Sequence, residues 1–195
     1  AASSAVILAT YKMDGKKIFS KYFELPGTAP GNGLTMDKDG NIFISAATPF
    51  NILKILKSGE KSWGTELSPV LNIRALAVDT ENGLYISGNM KQSLDGKKSK
   101  GGTDIFLLKI SQQGPKRWSR AFGTAFDESG TALATKGSEA VAVVGYLPQT
   151  MVAADDETEK HDAFVVNYNS AGKQLWTYIL KGANSEQSTV AAWTP

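Results

Sequence analysis

The sequence predicts an all-β fold made of repeated, antiparallel four-stranded units. One observation is a glycine that precedes an aromatic residue by four positions at four places, namely Gly15 and Phe19, Gly59 and Trp63, Gly114 and Trp118, and Gly172 and Trp176. Another is a short apolar run ahead of each glycine, and a third is a second type of hairpin that alternates with the first. No segment keeps an i, i+3, i+4, i+7 apolar pattern over three turns without glycine, so a helical fold is excluded.

The glycine-containing hairpins come first. In each, a strand ends four residues before the glycine, at Tyr11, Ile55, Ile110 and Tyr168. The glycine supplies the turn, and a second strand carries the aromatic residue. Strand, glycine turn and strand together predict a β-hairpin.

The alternating hairpins have a first strand rich in small residues. Their first strands are 33–37, 75–79 and 131–135, and a fourth copy begins at Thr189. Small side chains suit a strand crowded around an axis, whereas bulky ones suit the layers between sheets. The pattern therefore favours a β-propeller of four-stranded blades, with a β-sandwich or β-prism as the alternative.

The repeats divide the chain into about 3.5 to 4 blades within one domain, 1–195. The outer hairpin of one blade covers 5–24, three full blades cover 33–67, 72–122 and 129–180, and 188–195 begins the inner strand of a further blade. The sequence thus favours part of a longer propeller. In the alternative, the strand from Thr189 joins the first hairpin and closes a four-bladed ring.

Several of these runs resemble a known family. Asp162–Trp176, the segment from Asp104 through Arg120, and the Ala75–Gly88 run are similar to the bacterial beta-propeller repeat often called SBBP. The similarity covers nearly the whole chain and is weaker in the first two units, where Phe19 replaces tryptophan. It implies a secreted or cell-surface propeller, usually without an assigned activity; fold carries over and function does not.

The composition limits the classes of partner that we expect the chain to bind. The net charge of +2 gives no field that would attract nucleic acid, and no run of 18 apolar residues predicts a membrane-spanning helix. Cysteine is absent, which excludes disulfides, thiolate metal sites and cysteine nucleophiles. We expect no cofactor, because the inner strands offer few polar groups beyond threonines. The expected partners are a protein, a glycan or other chains that complete the assembly.

Two acidic segments could bind a cation. Asp37 and Asp39 lie in an Asp-Lys-Asp-Gly-Asn run that resembles part of a calcium loop, but the same residues are those expected in a β-turn. Asp155 and Asp156 belong to the densest acidic run, which also reads as a solvated loop. The turn and loop interpretations are favoured, and no metal site is assigned.

A rim of polar residues precedes the inner strands: Asn32, Arg74, Glu128 and Glu186. Glu128 and Glu186 are equivalent residues of adjacent repeats, and paired carboxylates are what a propeller glycosidase would use. The repeat itself would also generate this equivalence. The repeat aromatics Phe19, Trp63, Trp118 and Trp176 are expected to form a structural layer between blades, with Trp118 and Trp176 largely buried.

These observations give two functional hypotheses. The leading one is a non-catalytic binding or structural module, exposed outside the cell, that contacts protein or glycan through its loops and rim. The alternative is a glycoside hydrolase or lyase that uses Glu128 and Glu186.

Overall fold

The computed structural model describes residues 3–26, 33–45, 52–67, 71–96, 98–149, 160–182 and 185–193, and every regular element among them is a β-strand. They form one two-stranded and three four-stranded sheets, all antiparallel between neighbours in sequence. Asn32, Asp155 and Asp156 lie outside the described residues. An all-β fold of repeated antiparallel sheets is therefore confirmed.

The first compact unit spans residues 1–69 and contains two sheets. Sheet I consists of β1 (Ser3–Tyr11) and β2 (Lys17–Pro26). Sheet II consists of β3 (Leu34–Met36), β4 (Ile42–Ser45), β5 (Ile52–Ile55) and β6 (Lys61–Thr65). The two sheets share a core, in which Phe19 and Phe23 of sheet I pack against isoleucines of sheet II.

The second unit spans residues 70–195 and contains the other two sheets. Sheet III consists of β7 (Leu71–Val78), β8 (Leu84–Met90), β9 (Asp104–Ile110) and β10 (Lys116–Phe122). Sheet IV consists of β11 (Ser129–Lys136), β12 (Ala140–Pro148), β13 (His161–Asn169) and β14 (Gln174–Leu180). Their shared core combines Tyr85, Ile105 and Leu107 with Val143 and Phe164, among others.

Strand order explains where burial falls. Each four-stranded sheet runs in sequence order from its first to its fourth strand. The second and third strands are almost wholly buried, whereas the fourth strands are half-buried or exposed except at Ser119. Buried central strands require β-branched and aromatic residues on both faces, which is the composition of β8, β9, β12 and β13.

The segment after sheet IV differs from the expectation. The strand expected from Thr189 is not formed, because residues 185–193 belong to no sheet. They lie instead beside β11, where the Thr131 hydroxyl donates to the Ser188 carbonyl and Trp193 Nε1 donates to the Ala134 carbonyl at 3.1 Å. These are side-chain bonds to a backbone, so the segment is held without a strand ladder.

Candidate functional site

A row of side chains crosses sheet III at one register. Tyr85 lies opposite Lys109 on the neighbouring strand, and Lys109 lies opposite Trp118. The Lys109 ammonium sits 4.8 Å from the Tyr85 ring centroid, and the Tyr85 and Trp118 rings meet at 65° with centroids 5.9 Å apart. A cation and two aromatic rings thus form one packed row on the face that meets sheet IV.

Asp79 closes this row at the turn between β7 and β8. Its Oδ1 accepts hydrogen bonds from the backbone N–H of Glu81 at 3.0 Å and of Gly83 at 2.7 Å, and its Oδ2 pairs with Lys109 Nζ at 3.0 Å. Burial by itself would lower the pKa of Lys109, but the Tyr85 hydroxyl and the Asp79 carboxylate outweigh it and raise that pKa. Burial raises the pKa of Tyr85. The Lys109 side chain therefore keeps its positive charge at neutral pH.

Sheet II contains the same arrangement. Lys54 Nζ lies 5.1 Å from the Phe43 ring centroid and 3.8 Å from an Asp37 carboxylate oxygen, and Phe43 packs on Trp63 with ring centroids 5.9 Å apart. Sheet IV lacks it, because Ala142 and Asn167 occupy the row that leads to Trp176. The charged row is a feature of two sheets rather than of the repeat as a whole.

Trp118 and Arg120 connect sheet III to the turn between β13 and β14. Trp118 Nε1 donates to the Ser170 carbonyl at 3.0 Å, and Arg120 donates to the carbonyls of Gly172 and Ala171. The Arg120 guanidinium also lies 5.2 Å from the Trp118 ring. The glycine is needed because a Cβ on Gly172 would come within 2.8 Å of the indole, and its φ is +78°.

A cavity of about 460 Å³ opens beside this contact, at the turn end of the groove between sheets III and IV. Its volume falls within the range of small-molecule sites, roughly 300–1,000 Å³. Its lining combines amides, charges and one indole: Asp79, Glu81, Gly83, Lys109, Ser111, Gln112, Gln113, Arg117, Trp118 and Ser170. Exposed Gln113 and Arg117 can reach a ligand, whereas Asp79 and Lys109 satisfy each other at the floor. The cavity is therefore suited to binding a polar ligand beside an aromatic ring.

Glu128, a rim residue identified from the sequence, is 1% exposed. Its backbone N–H bonds to the Thr103 carbonyl at 2.8 Å, and its Oε1 accepts from the Thr124 hydroxyl. Burial raises the pKa of Glu128, the carboxylates of Asp104 and Asp127 raise it further, and the hydrogen bonds from Thr124 oppose them. Glu128 Oε2 and Asp104 Oδ1 both lie within 2.7 Å of the point where a Cβ on Gly123 would sit. Glu128 directly precedes β11 of sheet IV and is packed against the start of β9 and the segment that follows β10 in sheet III.

Glu186 repeats this arrangement one sheet later. Its backbone N–H bonds to the His161 carbonyl at 2.7 Å, and its carboxylate lies against Gly182. The neighbouring Asp162 accepts a hydrogen bond of 2.8 Å from Gln149. The two glutamates therefore occupy matching positions on separate sheets, each packed against its own glycine, and the burial of Glu128 does not suit a carboxylate that must reach a sugar.

The remaining predicted residues have simpler surroundings. Arg74 is exposed at the bulge between Ile73 and Ala75 in β7. Asp37 accepts backbone hydrogen bonds from Asp39 and Asn41 at 3.0 and 2.8 Å, which is the geometry of the turn interpretation. Among the described residues, no three His, Cys, Asp or Glu side chains are grouped so that they could hold a metal ion.

The repeat aromatics do not share one environment. Phe19 covers the Gly59 turn, where a Cβ would come within 3.1 Å of its ring, and Trp63 and Trp118 are half-buried. The expectation that Trp176 is buried is wrong, since this residue is 46% exposed. The reason is positional: Ile179 of the same strand packs into the core shared with sheet III, and Trp176 projects from the opposite face of sheet IV.

The cavity itself was missed in the sequence. The sequence feature that could have indicated the cavity is the Gln-Gln-Gly-Pro turn after β9, which is separated from Arg117 and Trp118 by one residue. Long polar side chains at a turn carry no chemical motif, and the sequence does not reveal which turns meet across two sheets.

Fold and site together define an all-β protein of stacked antiparallel sheets with a polar groove between two of them. No protein-family model matches the chain. The regulatory protein FlaEY of Caulobacter vibrioides is 22% identical over 213 residues, which cover 93% of this chain and 22% of that protein. A crystal structure of a protein of unknown function from Bacteroides caccae has a TM-score of 0.56 at 12% identity and matches 93% of this chain. The chain spans 57% of that structure, and the likeness indicates a shared fold.

No helix among the described residues is long and apolar enough to cross a membrane.

Proposed function

We propose that this chain is a non-catalytic binding module with β-propeller architecture, exposed at or outside the cell surface. Two features support the propeller. Sheet I packs on sheet II and sheet III packs on sheet IV, each pair sharing one core. In each pair, an aromatic residue on the last strand of the first sheet covers the glycine turn of the second sheet. Radial repetition of such contacts is how propellers bury their sheets.

The groove between sheets III and IV is the observation that carries the binding role. Trp118 offers an indole edge, Gln112 and Gln113 offer amides, and Arg117 offers a cation around one cavity. Amide and guanidinium groups bind hydroxyl and carboxylate oxygens, and an indole packs against the apolar face of a sugar or a peptide side chain. We propose a glycan, or an extended segment of a protein, as the ligand.

The cell-surface location rests on the resemblance to SBBP repeats and on no structural feature. The similarity to a regulatory protein supports a role in which this module binds a partner. Because the chain spans 22% of FlaEY, the activity of that whole protein is not carried over.

A direct test is a screen of the purified chain against glycan and peptide arrays, followed by calorimetric titration of the strongest ligand. Arg117→Ala should weaken binding at least about tenfold, the effect of losing one charge-assisted hydrogen bond, and Gln113→Ala should weaken it about fivefold, the effect of losing a neutral one. Lys61→Ala is the matched control, since Lys61 is an exposed cation at the start of β6 that does not line the cavity. Equal effects of Arg117→Ala and Lys61→Ala would refute a site in this groove.

Incubation with a panel of glycosides separates the non-catalytic proposal from the hydrolase hypothesis. The non-catalytic proposal predicts no turnover by the wild-type chain, whereas the hydrolase hypothesis predicts turnover. Turnover that is lost in Glu128→Gln or Glu186→Gln would overturn the non-catalytic proposal. The burial of Glu128 favours the absence of turnover.

A further inference from the structure

Two buried carboxylates meet where β9 begins and the segment after β10 ends. Asp104 and Glu128 are each 1% exposed. The Lys100 backbone N–H donates to Asp104 Oδ2 at 2.8 Å, and the Thr124 hydroxyl donates to Glu128 Oε1. The other oxygen of each group, Asp104 Oδ1 and Glu128 Oε2, is buried and has no hydrogen-bond partner among the described residues. Each carboxylate is therefore satisfied at one oxygen and unsatisfied at the other.

The two unsatisfied oxygens converge on Gly123. Both lie within 2.7 Å of the point where a Cβ on this glycine would sit. Any other residue at this position would place its side chain on that point, so glycine leaves a small cradle that two carboxylate oxygens face. Asp127 belongs to the same segment, but its carboxylate packs against Gly102. The cradle is thus lined by one oxygen from each of two acidic residues.

No basic side chain compensates this pair within the described part of the chain. The ion pairs of the second unit involve Asp79, Asp95 and Glu139, and none of them involves Asp104 or Glu128. Adjacent buried carboxylates are costly, because each loses its hydration and each repels the other. A positively charged ligand in the cradle would offset both costs.

We propose that the Gly123 cradle binds a divalent cation, Ca²⁺ in particular, through Asp104 Oδ1 and Glu128 Oε2. Two carboxylates balance a charge of +2, and Ca²⁺ accepts carboxylate, carbonyl and water oxygens in irregular arrangements, whereas Mg²⁺ demands a near-ideal octahedron. No third acidic or imidazole side chain joins the pair among the described residues. The remaining ligands are therefore neutral oxygens, as they are in part in other calcium sites.

The cation would fasten two segments that connect sheets III and IV. Asp104 begins β9, and Glu128 directly precedes β11. The Glu128 backbone N–H already bonds to the Thr103 carbonyl at 2.8 Å, so the same two segments are joined beside the cradle. Cation binding should therefore stabilise the folded chain, since the unfolded chain does not hold the two carboxylates together.

The equivalent pair in sheet IV provides a matched control. Gln149 Nε2 donates to Asp162 Oδ1 at 2.8 Å and to the Gly182 carbonyl at 3.0 Å, so an amide donor partly compensates this pair from within the chain. Glu186 is half-buried rather than wholly buried. Loss of the Glu186 charge should therefore leave the cation site of sheet III intact.

Thermal unfolding at pH 7.5 tests the effect on stability, in Ca²⁺ and in EDTA at equal ionic strength. Ca²⁺ should raise the unfolding midpoint of the wild-type chain by about 3 °C or more. Glu128→Gln should abolish this shift, and Glu186→Gln should retain it. A midpoint that is independent of Ca²⁺, or equal shifts in wild type and Glu128→Gln, would overturn the proposal. Stability that responds to pH but not to Ca²⁺ would mean that a shared proton compensates the pair instead.

Calorimetric titration with CaCl₂ measures binding directly. The wild-type chain should bind one Ca²⁺, and Glu128→Gln should bind it at least about tenfold more weakly, because one of the two charged ligands is lost. Asp104→Asn provides a second variant with the same expectation, in case one substitution impairs folding, which far-UV circular dichroism in EDTA detects. Glu186→Gln should bind like the wild type. Absence of binding, or equal weakening by Glu128→Gln and Glu186→Gln, would contradict a site at Gly123.

Discussion

Trp118 Nε1, on the last strand of sheet III, donates a 3.0 Å hydrogen bond to the carbonyl of Ser170 in the last turn of sheet IV. The bond joins residues that are 52 positions apart in the chain. It ends a row that begins with the buried Tyr85 and includes the Lys109–Asp79 ion pair. One side chain thus links the core of sheet III, the polar groove and the neighbouring sheet.

The Lys109–Asp79 pair gives a first prediction. Lys109→Met should lower the free energy of unfolding by at least about 2 kcal/mol, because the Asp79 carboxylate is left buried without its cation. Chemical denaturation at pH 7 measures this difference. Lys136→Met is a suitable control. Its carboxylate partner Glu139 is well exposed, so this substitution should lower the free energy of unfolding by less than about 0.5 kcal/mol. Equal costs would mean that the buried pair adds nothing to stability.

Close backbone approach gives a second prediction. A Cβ on Gly88 would overlap the Asn72 carbonyl oxygen across β7 and β8. Gly88→Ala should therefore destabilise the chain by about 1–3 kcal/mol through overpacking. Gly96→Ala separates this cost from backbone strain, because Gly96 has a φ of +75° but none of the described residues comes within 4 Å of the position of a Cβ on it. Thermal unfolding of both variants checks the order, and a smaller loss for Gly88→Ala would contradict the clash.

The buried Glu128 predicts a pH dependence. Its pKa is raised in the folded chain, so the folded state binds this proton more tightly than the unfolded state. The stabilisation is complete below the unfolded pKa, about 4.5, and is lost as pH rises through the raised folded pKa. Stability should therefore decline over this window, and Glu128→Gln should flatten the decline. Urea denaturation from pH 4 to 8 measures it; parallel profiles for both chains would exclude Glu128 as the cause.

The fold class could be predicted from the sequence because strand type repeats along the chain. The Gly172 and Trp176 spacing marked a hairpin, and the apolar run before it marked a buried strand, both of which depend on local residues. The exposure of Trp176 could not be predicted, because it depends on which face of its sheet packs against a neighbouring sheet. Trp118 and Trp176 have the same local sequence role, and only the stacking of sheets distinguishes them.

The candidate site was less predictable for the same reason. Glu128 and Glu186 were identified by their equivalent positions, but position does not reveal that Glu128 is enclosed by Thr124, Asp104 and Gly123. The groove around Arg117 involves residues of two sheets, so its assembly depends on tertiary packing. Repeat periodicity predicts which residues are equivalent, whereas accessibility is set by the neighbouring sheet.

In both sheet pairs, an aromatic residue of one sheet packs over the glycine turn of the next. The most direct measurement compares the free energies of unfolding of Trp118→Ala and Trp176→Ala at concentrations where the chain is monomeric. We expect Trp118→Ala to lower this free energy by about 3 kcal/mol, since it removes a packed indole and its bond to Ser170. Trp176→Ala should lower it by less than about 1 kcal/mol, because the ring is 46% exposed. Equal losses for the two variants would contradict the account.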